Sequence, residues 1–170
     1  MVLISCCAWA LEGDEADGLE RLARAGLRSV DVRPSMLRGA EVEARRRDLG
    51  LRVSCVAASH EMPAGAAFDS DDPAAVESAC LHVEDALDHA AALGAPWAYV
   101  VPEAPRDAAS VERYAPTYTR LADHGQSVGV GLCIEHFPGT AFPTVAATLE
   151  FLQRLGHPNL YLLFDIGHAQ

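Results

Sequence analysis

Short apolar runs alternate along this chain with stretches whose apolar residues recur every three or four positions. The runs cover residues 2–9, 29–32, 51–59, 97–101, 129–135 and 160–164, and each is read as a strand. The intervening stretches read as helices over 14–25, 35–49, 73–93, 108–124 and 143–155. Leu19, Leu22 and Ala23 form the inner stripe of the first helix, and Val76, Cys80, Val83, Leu87 and Ala90 that of the third. Val145, Thr148, Leu149, Leu152 and Leu155 are expected to face inward from the fifth. Glycines at 26, 50, 94, 125 and 156 punctuate the helix ends, Asp72-Pro73 reads as an N-cap with proline at the first helical position, and Ser35 is placed to cap the second helix. The long segment 61–72, rich in Gly, Pro, Ala and Asp, is a loop.

Near-continuous apolar strands separated by helices imply parallel βαβ units, hence an α/β domain. Six such units can form an open sheet, but the chain carries no covering helix after its sixth run. The better reading is a (β/α)8 TIM-barrel type that is incomplete here, with residues 1–170 as a single domain lacking its last strands.

Composition narrows the function. The formal net charge of −11 argues against a nucleic-acid partner and gives no support to an anionic membrane surface. All 13 basic residues are arginines, which excludes a Schiff-base or P-loop lysine. No run reaches the length of a spanning helix. The five cysteines (Cys6, Cys7, Cys55, Cys80 and Cys133) include no Cys-x-x-Cys pair, so reduced, core-packed thiols and a cytoplasmic location are expected.

The chemistry collects in the last third. The runs GVGLCIEHF (129–137) and LYLLFDIGH (160–168) each end in a carboxylate, Glu135 and Asp165, followed by His136 and His168. Acids at strand ends lie on the carboxyl edge of a parallel sheet, where α/β proteins hold their ligands. His168 is placed to contact a substrate hydroxyl, and His60, directly after the third strand, could reach the same mouth. Trp9 ends the first strand and could wall a sugar face. Glu103 and Arg33 also sit at strand ends, while alternation turns His136 away from the mouth. His82, His89, His124 and His157 read as surface residues, and Arg45-Arg46-Arg47 as the wet face of a helix.

LCIEHFPGT (132–140), the turn GHPN (156–159) and DIGH (165–168) together resemble the xylose isomerase-like barrels of the sugar-phosphate isomerase/epimerase superfamily. ALG (92–94) before an apolar strand and the acidic Asp31 on the second strand fit as well. The resemblance implies a divalent cation, Mn, Mg, Co or Zn, held by a Glu on strand five, an Asp on strand six, a His on strand seven and a Glu on strand eight. Glu135 and Asp165 match the first two, and Glu135 would also be catalytic. The ketose 3-epimerase branch tends to carry a second Glu six residues after the first, where this chain has Ala141; the Pro138-Gly139-Thr140 loop looks closer to inosose-dehydratase-type members.

The expected activity is that of an isomerase or epimerase that takes a small sugar or sugar phosphate through an enediolate by proton transfer. The alternatives are a lyase of the inosose-dehydratase type on the same site, and a non-catalytic partial barrel that binds a partner or forms a homo-oligomer through its open edge. An apurinic endonuclease of the same fold is disfavoured by the charge.

Overall fold

The computed structural model describes residues 3–105, 107 and 109–168. In chain order the strands are β1 (Cys6–Cys7), β2 (Ser29–Val32), β3 (Arg52–Ala57), β4 (Trp97–Val100), β5 (Gly131–Glu135) and β6 (Leu160–Leu163). The helices are α1 (Glu15–Arg24), α2 (Ala40–Asp48), α3 (Pro73–Leu93), α4 (Ser110–Val128) and α5 (Val145–Leu155). The strands form one sheet in sequential order, every neighbouring pair parallel. This is the βα repeat of a barrel, with six strands where a closed barrel has eight.

Alternation along the strands divides the sheet into two faces. Val30, Val32, Val53, Val56, Ala98, Val100, Leu132 and Ile134 are all at most 3% exposed and form the core against the helices. The opposite, concave face carries Cys7, Asp31, Cys55, Trp97 and Gly131, aligned in register across five strands. Tyr99, Cys133 and Tyr161 align in the next layer. A concavity of about 470 Å³ opens on this face, lined by Leu3, Asp31, Cys55, Trp97 and Tyr161 among others.

Local chemistry explains most element ends. The Asp14 carboxylate accepts from the Ala16 and Asp17 amides to start α1. Asp72 caps α3, Pro73 occupies its first position, and Gly94 ends it at φ 72°. Thr144 caps α5. Asn159 Nδ2 donates to the carbonyls of Ala122 and Val130, tying the end of α4 to the entrance of β6.

Several expectations need correction. The first strand is two residues long, and Trp9 lies on a 3-10 turn, Ala8–Ala10, rather than at a strand end; Val2 lies outside the described residues. An edge strand pairs on one side only, and Leu3 and Ile4 stay exposed. Ser35 does not cap α2: its hydroxyl donates to Glu61, and the chain turns at Leu37, φ 59°, before the helix begins. Of the expected fourth helix, Ala108 lies outside the described residues, and the helix runs past Gly125 to Val128. A Cβ at Gly125 would lie 2.7 Å from the Val130 carbonyl oxygen, so this glycine serves close packing rather than a stop.

On α5, Leu149 faces solvent and Phe151 is the buried contact, joining Tyr118 and Phe142. His89 is buried, not a surface residue, because its Nε2 bonds to the Met36 carbonyl. His157 is half-buried and pairs with Asp123. Arg46 is likewise buried, held by Glu43 and the Leu51 carbonyl, while Arg45 and Arg47 are exposed. The cysteines are all free, but Cys6, Cys7 and Cys55 are only half-buried.

Candidate metal centre at the carboxyl edge

β5 is buried along its whole length and delivers Glu135 at its final residue. Leu163 of β6 pairs with Glu135, and the chain continues two residues to Asp165. There the backbone closes a tight turn: the Gly167 amide donates to the Asp165 carboxylate at 2.6 Å and the His168 amide to its carbonyl at 3.1 Å. The turn brings His168 back, its Nε2 3.5 Å from a Glu135 oxygen and 3.4 Å from an Asp165 oxygen. One ligand atom from each of Glu135, Asp165 and His168 lies within 4.8 Å of the other two.

The electrostatics of this trio are unbalanced. Burial pushes the Glu135 carboxyl above its ordinary range, and the Asp165 charge adds to the effect, with His168 opposing it. A buried acid beside a second acid is stabilised by a cation between them. Carboxylate and imidazole donors suit a small divalent metal, so the residues present fit the group that the family resemblance implies.

His136 shares the strand parity of the core residue Ile134 and is fully buried. It nevertheless acts on the site: its Nε2 accepts from the Asp165 amide at 3.3 Å, leaving Nδ1 buried without a partner. The sequence pattern gives His136 no such contact, because the turn that carries Asp165 back over it is invisible in a linear pattern.

A second group collects on the β1–β3 side of the same edge. The Trp9 and His60 rings stand 5.4 Å apart, and the Arg33 guanidinium carbon lies 5.6 Å from the Trp9 ring. His82 Nε2 donates to the His60 carbonyl and fixes that turn. Burial, then Arg33, depresses the His60 imidazole below its ordinary value. Tyr99 stands between the groups. Its ring is 6.4 Å from His60, and its hydroxyl is raised above the usual range, by burial first and by the Glu135 charge second. The apolar-run pattern does not single out Tyr99, although its inward parity on β4 is an available signal. The structure therefore assembles Glu135 with Asp165 and His168, and Trp9 with His60 and Arg33. Glu103 belongs to neither; its amide donates to the Tyr114 hydroxyl and its carbonyl accepts from Ala141.

The family model for xylose isomerase-like TIM barrels matches residues 16–170. The chain belongs to that family. A D-allulose 3-epimerase from Methylomonas sp., solved with D-allulose, superposes with a TM-score of 0.83 at 22% identity, covering 98% of this chain and 63% of that one. An L-ribulose 3-epimerase superposes equally well, at 0.83 and 21% identity, covering 99% and 62%. An inosose dehydratase from Serratia proteamaculans is 36% identical over 58 residues, 34% of this chain and 19% of that protein. The chain thus spans somewhat under two thirds of the epimerases it superposes on. Both of these similar structures are 3-epimerases, and among the described residues no helix is long and apolar enough to cross a membrane.

Proposed function

We propose that this chain carries the strand-five and strand-six part of a divalent-metal-dependent sugar or sugar-phosphate isomerase or epimerase site. The observation that carries the reading is the convergence of Glu135, Asp165 and His168 at the carboxyl edge. In this reading the domain is the first six strands of an eight-stranded barrel, and strands seven and eight would complete the ligand set.

Glu135 and Asp165 would hold the cation. A divalent metal bound there supplies electrostatic stabilisation of the enediolate that forms when a proton leaves the carbon beside a carbonyl. Glu135, buried and with a raised pKa, is suited to holding or moving that proton. His136 orients Asp165 through its amide. His168 contacts a substrate hydroxyl from its place beside both acids. Tyr99, Trp9 and His60 line the rest of the mouth and exclude water from the reacting carbons.

A lyase of the inosose-dehydratase type is the second reading, supported by the 58-residue match to such an enzyme. Both begin with the same proton transfer, and they part on whether a neighbouring hydroxyl leaves. The test is to incubate the full-length product of this reading frame with Mn²⁺ and a panel of ketohexoses and inososes. An epimer or aldose supports the first reading and a dehydrated product the second. No conversion of any compound contradicts both.

A further inference from the structure

We propose that Arg33, with Trp9 and His60, forms a subsite that takes the carboxylate of an acidic polyhydroxy substrate, at the end of the mouth opposite Glu135 and Asp165. This inference deepens the sugar-processing reading and rests on it for the nature of the substrate. Arg33 follows β2 directly and shares the parity of Asp31, which faces the concave side. Its guanidinium lies over the Trp9 ring at 5.6 Å, and that ring adjoins His60 at 5.4 Å. The aromatic face orients the planar cation without neutralising it.

No described carboxylate compensates this charge. Arg33 Nε is buried without a hydrogen-bond partner, and the guanidinium forms no ion pair with any described residue. The nearby acids are engaged elsewhere. Asp31 accepts from the Ser5 and Ser54 hydroxyls, Glu61 from the Ser35 amide and hydroxyl, Glu15 from the Leu37 amide, and Asp14 from the start of α1. Several other arginines of this acidic chain are paired, among them Arg38 with Asp85, Arg45 with Glu20, Arg46 with Glu43, and Arg120 with Glu77 and Glu84, whereas the exposed Arg21 and Arg28 donate to the Glu12 and Leu27 carbonyls. An arginine left unpaired in a protein of net charge −11, at a ligand edge, is placed to recognise an anion.

The occupant is a carboxylate rather than a phosphate on charge grounds. A single guanidinium matches a monoanion, and His60 beside it favours its neutral form, so a phosphate dianion would be left half compensated. The neutral imidazole can donate one hydrogen bond to a carboxylate oxygen or to the adjacent hydroxyl.

The test is calorimetric titration of the protein in metal-free buffer with D-gluconate and with D-glucitol, which differ only in carboxylate against hydroxymethyl. Wild type is expected to bind D-gluconate about tenfold more tightly, and Arg33→Gln to abolish that preference while leaving D-glucitol binding unchanged. Arg33→Lys, which keeps the charge but loses the planar fork, is expected to retain part of the preference. Thermal melts confirm that each variant folds. Equal or absent binding of the two ligands by wild type overturns the proposal, as does a preference that survives Arg33→Gln. A third arm compares D-glucose 6-phosphate with D-glucose: a stronger preference for the phosphate overturns the carboxylate assignment. Because no metal is present, failure of Mn²⁺ binding at Glu135 is scored separately and leaves this outcome intact.

Discussion

Glu135 and His89 show how burial sets the chemistry of single residues in this protein. Glu135 is buried where its charge is costly, next to another acid, and a cation would relieve it. His89 is buried for structure alone, its ring nitrogen bonded to Met36 at 2.7 Å. Burial lowers its pKa from the ordinary value of 6.5, with the Met36 bond opposing in part. The consequence for stability has a definite sign. Below 6.5 the unfolded chain takes up a proton that folded His89 resists, so stability falls as pH drops through that value. His60, also depressed, contributes in the same direction. Urea unfolding at several pH values between 5 and 8 is expected to show this loss on the acid side. His89→Gln is expected to flatten the profile.

At the scale of elements, β4 and β5 are matched by a missing side chain. A Cβ on Gly131 would collide with the Trp97 ring and meet Tyr161 at 3.3 Å. Trp97 and Tyr161 make an edge contact at 5.1 Å, and Gly131 leaves room for it. Gly131→Ala is therefore expected to cost about 1–3 kcal/mol in chemical denaturation, because the indole must move. A variant as stable as wild type would show that the ring is free to shift.

The same strands show how far the fold and the site are legible in the residues alone. Glu135 and Asp165 stand out because an apolar run that ends in an acid identifies a sheet edge without knowledge of the partners. Trp9 is misplaced by the pattern because β1 pairs on one side only, and an apolar run does not reveal where pairing stops. His89, Arg46 and Leu149 are misjudged because the Met36 carbonyl, Glu43 and Phe151 decide their burial, and those contacts are tertiary. The pairing of Arg33 with Trp9 depends on the 3-10 turn after β1 meeting the end of β2, which no local pattern encodes.

The whole molecule presents one concave face and one edge rich in chemistry. Along that edge the acids of β5 and β6 stand on one side and the unpaired guanidinium after β2 on the other, with Tyr99 between them. A ligand with vicinal oxygens at one end and a carboxylate at the other would span the two. The concave face behind the edge carries Trp97 and Tyr161, 42% and 40% exposed, on the side that faces the interior in a closed barrel. The function proposed for this edge requires that the acid trio hold a cation. Titration of the metal-free full-length product of this reading frame with Mn²⁺ near neutral pH tests this directly, with Glu135→Gln and the exposed-acid control Glu41→Gln beside wild type. The expected result is one saturable site per chain in wild type and in Glu41→Gln, weakened at least about tenfold in Glu135→Gln. Identical titrations for wild type and Glu135→Gln, or no saturable site at all, would contradict it.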